Sequence, residues 1–275
     1  MLTHSQPHAC ITLPLPVRWV QRLEFPHKLG VCERVFAKKL AAHGTCWVHT
    51  STGRLWKLDL KNPTLRWIIY GKYEGAPFLT WAARILPRNG TVVDSGANIG
   101  QMLLYFADYV PDGKIFAFEP GSHQADWLAE CLAVNPDIPA RLFRLALGDK
   151  EQTAFLDSQG PAHTHGSWNK VTGSGNHSIQ VVCLSRVLEE SGVDCVHLWK
   201  LDVEGYEVPA LQGAGKWLQE KRIRALWIEM VGENGKRINE FMNSVGYSPF
   251  ILDRRGSPEP MVKPPAHANV LFLPR

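Results

Sequence analysis

The 275-residue chain contains no run of roughly 18 consecutive apolar residues, the length a membrane-crossing helix requires. Its opening residues, Met1 to Cys10, lack the basic start and apolar stretch of an export signal. Six cysteines (Cys10, Cys32, Cys46, Cys131, Cys183 and Cys195) form no C-x-x-C pair and no regular spacing, which argues against a disulfide framework or a structural zinc site. These absences lead us to expect a cytoplasmic protein with reduced thiols. Charge is equally sparse. A formal net charge of +4 without a dense basic stripe falls short of a nucleic-acid-binding signature, so no nucleic-acid partner is expected. With 45% hydrophobic and 20% charged residues the chain lies far from the disordered regime, and it has neither internal repeats nor low-complexity segments.

What is present divides near residue 88. Pro7, Pro14, Pro16 and Pro26 interrupt the beginning, so residues 1–28 read as an irregular arm. Between Thr45 and Leu60 two alternating segments flank a Ser-Thr-Gly turn, which predicts a β-hairpin. PFLTWAARILP then spaces Phe78, Leu79, Ala82, Ile85 and Leu86 as a helix, with Pro77 in its first turn and Pro87 as a stop. Residues 1–88 are therefore expected to form an extension to a domain spanning 89–275. From Thr91 onward short apolar runs alternate with amphipathic segments: TVVD, Asn98 to Val110, KIFAFE, Ser122 to Val134, ARLFRLAL, VHLWKLD, Tyr206 to Leu218, RALWIEM and Asn234 to Val245. Such alternation predicts βαβ units and a mostly parallel sheet. GYSPFILD and ANVLFLP follow without a helix and predict a closing antiparallel pair.

The first strand of this series runs into Asp94-Ser-Gly-Ala-Asn-Ile-Gly100. Glycines at such a turn let backbone amides approach a ligand, and a helix beginning there favours negative charge. A dinucleotide fold places G-x-G-x-x-G at this point to cradle a pyrophosphate. Here the spacing is Gly96-x-x-x-Gly100, which suits S-adenosylmethionine, a ligand without phosphates; a plain turn with Asn98 as N-cap is the other reading. The next strand ends in Phe118-Glu119-Pro120, with Glu119 at 25 positions beyond Asp94. There a dinucleotide fold carries the acid that binds ribose hydroxyls. Asp94 closes its own strand, as an acceptor for the ligand's ammonium or as a cap of the turn.

VVDSGANIG, FAFEP, LALGD, VVCLSRVLEE, LWKLDVEGYEVPALQGA, IEM and HANVLFLP occur in the order found in FkbM-type methyltransferases, and the sequence resembles that family over about residues 67–274. The resemblance implies a class I methyltransferase fold: Rossmann-like α/β, with a mostly parallel seven-stranded sheet and an antiparallel closing strand. It implies S-adenosylmethionine as cofactor and O-methylation of a sugar, glycan or polyketide-like natural-product hydroxyl. By this likeness Asp94, Gly96, Asn98, Gly100, Glu119 and Pro120 line the cofactor site, Ala146 or Leu147 lies near the adenine, and Tyr73 and Glu74 close over the ligand. Ser95 and Tyr206 depart from the family's usual Val or Ile and Ala; Tyr206 bears on acceptor choice.

On the acceptor side, alternation along the fourth strand puts Lys200, Asp202 and Glu204 at the carboxyl edge of the sheet, where one of them can take the proton of the acceptor hydroxyl. A structural ion pair of Lys200 with a carboxylate is the competing reading. Glu229 ends the fifth strand at the same edge, as acceptor contact or as partner of a basic residue. The polar, glycine-rich stretch 160–177 offers His163 and His165 as bases or acceptor contacts and Trp168 as a stacking surface for a sugar, against simple exposure or local packing. No spacing among Asp202, Glu204 and Glu229 compels a metal. A small-molecule or glycan acceptor is expected, and a homodimer is compatible with the hydrophobic arm. The alternatives are an adenosyl-binding protein without catalysis and a nucleic-acid methyltransferase. The amino-methylating enzymes among the latter carry Asn/Asp-Pro-Pro-aromatic where this chain has Asp202-Val-Glu-Gly205.

Overall fold

A computed structural model describes residues 10–23, 25–71, 76–159, 168–175, 177–263 and 266–275. The chain divides into two compact units, Met1–Ala76 with Ala129–Pro136, and Pro77–Leu128 with Asp137–Arg275.

In the first unit β1 (Cys10–Ile11), α1 (Leu15–Val20), α2 (Lys28–Ala41), β2 (Thr45–His49), β3 (Leu55–Asp59) and α3 (Pro63–Ile69) follow in order. The expected hairpin is β2–β3, antiparallel with Trp47 opposite Lys57. Gly53, at φ 83°, turns the chain between them. The arm is more regular than its prolines suggested. Pro14 caps α1 and Pro16 lies in its first turn, where a missing N–H costs no helical bond. α3 starts on Asn62, whose side chain accepts from Thr64 N at 2.9 Å.

The chain continues, within the second unit apart from Ala76 and the last turn or so of α6, with α4 (Ala76–Ile85), β4 (Thr91–Ser95), α5 (Leu103–Tyr109), β5 (Lys114–Phe118), α6 (Ser122–Ala133), β6 (Ala140–Phe143), β7 (Ala146–Leu147), β8 (Gln152–Gln159), β9 (Trp168–Thr172) and β10 (His177–Val182). After these come α7 (Leu184–Glu190), β11 (Leu198–Leu201), α8 (Glu207–Gln212), α9 (Gly215–Gln219), β12 (Leu226–Val231), α10 (Gly232–Ser244), β13 (Tyr247–Leu252), β14 (Pro258–Pro260) and β15 (His267–Pro274). The main sheet has the order β14-β13-β15-β12-β11-β4-β5-β6. β6, β5, β4, β11 and β12 run parallel, and β15 adds antiparallel to β12, as the sequence led us to expect for an α/β fold closed by an antiparallel pair. The strands β4 and β11 are buried along their whole length, as central parallel strands are, and they carry Asp94, Ser95 and Lys200 inside with their apolar residues. Phe78 of α4 stacks on Trp227 of β12 with ring centroids 4.5 Å apart.

Beyond the arm, the structure departs from the sequence reading in several places. Strands β8, β9 and β10 are not foreseen by it. The sheet has eight strands rather than seven, because Pro258–Pro260 pairs with β13 as an extra edge. ARLFRLAL is two strands: β6 stays in the main sheet, whereas β7 pairs with β10 in a second sheet of order β7-β10-β8-β9. The helix expected from Asn98 begins only at Leu103, since Asn98 (φ 50°) and Gly100 (φ 85°) have left-handed backbone that no α-helix accommodates. The helix expected over Tyr206 to Leu218 breaks after Gln212, at Gly213, which packs so closely on Gly148 that an added Cβ would lie 1.9 Å from its carbonyl oxygen.

Candidate active site

The site forms where β4, β5 and β11 end side by side, at the carboxyl edge of a parallel sheet. Gly96 leaves β4 at φ 73°, against the chain leaving β11: a Cβ there would stand 1.8 Å from the Asp202 carbonyl oxygen. The amides of Gly96 and Ala97 both donate to Phe118 O at 3.0 Å, which ties the turn to the end of β5. Glu119 completes the tie. Its Oε2 accepts from Asn98 N and its Oε1 from Gly121 N, each at 2.8 Å. The side chain is buried, and burial pushes its carboxyl up to about 7 against the stabilising pull of those two amides and of Lys200.

Lys200 lies beneath the turn. Its ammonium donates to Gly96 O at 2.9 Å and Ser95 O at 3.4 Å, with Asp202 Oδ2 at 3.4 Å and Asp94 Oδ1 at 3.5 Å. Asp94 is fully buried; burial raises its carboxyl above the ordinary range, and Lys200 opposes that shift. Ser95, flagged as a departure from the family pattern, accepts the indole N–H of the fully buried Trp199 at 2.8 Å. A buried indole needs such an acceptor, so this serine and this tryptophan belong together.

A cavity of about 710 Å³ opens above this turn. Its polar lining includes Gly96, Asn98, Glu119, Asp202 and Glu204, and its apolar lining Phe118, Leu145, Ala146, Leu147, Leu156 and Val171. The lining, largely apolar with a few convergent polar groups, suits a small-molecule ligand. Tyr206 lines it too, its hydroxyl accepting from Gln152 Nε2 at 3.4 Å.

A second cavity, of about 700 Å³, is bordered by Lys170, Glu204, Gly205, Glu207, Glu229, Val231, Asn234 and His267. Glu204 lies in both walls. Its backbone is left-handed, at φ 54°, and its carboxyl is pushed up to about 7 by burial and then by Asp202, Glu229 and Glu207. Across the cavity His267 Nε2 lies 3.1 Å from Glu229 Oε1. Burial and Asp202 raise the Glu229 carboxyl, and His267 lowers it.

Of the residues singled out from sequence, Gly96, Asn98, Glu119, Pro120, Ala146, Leu147, Asp202, Glu204 and Tyr206 thus share the first cavity, and Glu229 borders the second. Asp94, Gly100 and Lys200 are in neither wall. Lys200 takes the structural role of its competing reading, fastening the turn from below. Tyr73, Glu74, His163 and His165 lie outside the described residues, as does the side chain of Trp168 in β9. Sequence reasoning missed Gln124 and Val171 in the first cavity and Lys170, Glu207, Asn234 and His267 in the second. For His267 the signal lies in the pairing of β12 with β15, which sets Glu229 opposite Asn269 and Val231 opposite His267. Among the described residues no three His, Cys, Asp or Glu side chains are grouped so as to hold a metal ion, all six cysteines are free thiols, and no helix is long and apolar enough to cross a membrane.

Residues 94–249 match the Methyltransferase FkbM domain. The chain is 26% identical over 161 residues to the methyltransferase sdnD of Sordaria araneosa, an alignment covering 46% of this chain and 61% of that protein. Among solved structures, the precorrin-6y C5,15-methyltransferase of Geobacter metallireducens GS-15 is similar with a TM-score of 0.44 and 10% identity, covering 73% of this chain and 88% of that one. An rRNA methylase of Streptococcus thermophilus gives a TM-score of 0.41 and 10% identity over 72% of this chain and 93% of that one. The FkbM match spans more than half of the sequence and contains the glycine turn, Glu119 and the Asp202–Gly205 loop, and the chain belongs to the FkbM methyltransferase family.

Proposed function

We propose that the protein is an S-adenosylmethionine-dependent O-methyltransferase, with the cofactor in the first cavity and a hydroxylated acceptor, a sugar, glycan or polyketide-like natural product, in the second. The observation that carries this reading is the pairing of Glu119 with the Gly96–Asn98 turn in one wall. The donor set fits the cofactor. Glu119 uses both oxygens on backbone amides yet keeps lone pairs for two ribose hydroxyls. Leu145, Ala146, Leu147 and Phe118 offer an apolar bed for adenine. Asn98 and Asp202 offer polar groups for the amino-acid portion.

When bound, the cofactor supplies an electrophilic methyl group on a sulfonium. The protein's part is to hold the acceptor oxygen in line and to receive its proton. Positioning is worth roughly 7–11 kcal/mol, whereas a general base contributes about 10²- to 10⁴-fold, so the two cavity walls do most of the work. Glu204 is the base in this reading, because it is the residue both cavities share and its carboxyl is poised near neutrality. Asp202, in the first wall, is held by Lys200. Glu229 and Tyr206 meet the acceptor. Three carboxylates in the second wall, against one lysine and one histidine, favour an uncharged polyol over a phosphate-bearing acceptor such as nucleic acid.

Transfer of a labelled methyl group from S-adenosylmethionine to a panel of sugars, polyketides and RNA tests the reading. Label in a hydroxylated small molecule, lost in Glu204→Gln, supports it. Label in RNA, or cofactor binding with no label anywhere, overturns the acceptor or the catalytic assignment respectively.

A further inference from the structure

Glu204 holds its place at the wall between the cavities although its backbone conformation, φ 54°, is one that residues other than glycine adopt only when their surroundings enforce it. The enforcing group is the carboxylate of Glu207, the first residue of α8, which is 2% exposed. Its Oε1 accepts from Val203 N and from Gly205 N, both at 3.1 Å, so one oxygen brackets Glu204 through the amides on either side. Its Oε2 accepts from Asn234 Nδ2 at 2.5 Å. Asn234 lies in α10, which follows directly on β12, the strand that carries Glu229. The bracket is thereby tied to a second residue that borders the same cavity.

We propose that Glu207 is a positioning residue, which holds the Glu204 turn in its left-handed form at the shared wall with Asn234 as its anchor. Its role in turnover rests on the reading of Glu204 as proton acceptor; the holding itself does not. The chemistry explains the residue type. Two N–H donors converge on one oxygen while a third takes the other, and a carboxylate offers acceptors on both sides without turning a donor toward the loop. The charged groups around Glu204 are Asp202 and Lys200 from its own strand and loop, Glu207, Glu229 from β12, His267 from β15 and Lys170 from β9.

Glu207→Gln and Glu207→Ala separate holding from charge. Both remove the same negative charge, but glutamine keeps an oxygen for the two amides, and Asn234 can turn its amide over to accept from the new NH₂. In protein labelled with ¹³C-glutamate, the Glu204 carboxyl, assigned by its loss in Glu204→Gln, is titrated by NMR without cofactor or acceptor. Positioning predicts that the Glu204 midpoint falls further in Glu207→Ala than in Glu207→Gln, by roughly one pH unit, as the freed carboxylate gains water. Asn234→Ala, which keeps the charge, lowers it as well. Equal midpoints in the glutamine and alanine variants overturn the proposal. If the alanine variant does not fold, an unshifted midpoint in Asn234→Ala does the same.

With the acceptor found by labelled transfer, kcat falls roughly tenfold or more in Glu207→Ala and recovers in Glu207→Gln, while adenosylhomocysteine affinity stays near wild type. The acid limb of the pH profile follows the NMR midpoint. A limb that stays put while the midpoint moves overturns Glu204 as the base and leaves the bracket standing, so the two failures are told apart.

Discussion

The backbone N–H of Asn98 donates to Glu119 Oε2 at 2.8 Å, so the turn that ends one strand is fastened to the carboxylate that ends the next. One buried side chain therefore shapes the turn and faces the cavity at once. Ligand binding and stability should accordingly respond together when it changes.

If Glu119 binds the cofactor as proposed, its ionisation sets the pH dependence of that binding. In that reading the ionised carboxylate accepts ribose hydroxyls, and in the unliganded protein burial pushes the carboxyl up to about 7. Adenosylhomocysteine affinity is expected to be flat above that pH and to fall about tenfold per unit below it, as a proton must be released. Calorimetry across the pH range checks this, with Glu119→Gln removing the slope.

Stability of the unliganded protein runs the other way. The folded pKa of Glu119 lies above the ordinary carboxylate value, so between the two the native state binds more protons than the unfolded chain. Stability then falls as pH rises through that window and stays lower above about 7, and Glu204 adds in the same direction. The Tm is predicted to be higher in mildly acidic than in mildly alkaline buffer, with the difference reduced in Glu119→Gln.

Ser95 and Trp199 form a coupled pair. Ser95→Val strands the buried indole N–H, at a cost of about 1–3 kcal/mol. In the background of Trp199→Phe the same substitution is predicted to cost much less, and the coupling is read from a double-mutant cycle in urea.

Lys200 binds the carbonyl of the glycine turn and stands between Asp94 and Asp202. Lys200→Met leaves the fully buried Asp94 without its cation, a loss of roughly 3–5 kcal/mol when a buried pair is broken from one side. Adding Asp94→Asn should return part of that stability. Failure of this rescue in thermal unfolding would show that the pair does not carry the effect.

Much of this architecture was legible beforehand because each element carries a local signal. TVVD and VHLWKLD are apolar runs of strand length, and they became the fully buried central strands β4 and β11. Glu119 could be placed by its distance from Asp94 in sequence, since parallel strands of a βαβ unit end on the same edge. Residues brought in by tertiary approach left no such trace. Gly213 is a local helix-stop signal, but the Gly148 carbonyl whose close approach requires a glycine there is far away in sequence. Asn98 reads as part of the cofactor site or as an N-cap, and neither reading shows that its amide meets Glu119. Glu207 and Asn234 look like ordinary helix residues, and only their meeting at 2.5 Å gives them a common task.

The central claim is that the Glu119 cavity holds the adenosyl group, and the most direct measurement is calorimetric titration of adenosylhomocysteine into the wild type and Glu119→Ala at mildly alkaline pH. We predict one-to-one binding in the wild type and a loss of affinity of roughly tenfold or more in the variant, as expected for hydrogen bonds to a charged group. Equal affinity in the two proteins, with the variant folded, would contradict the account.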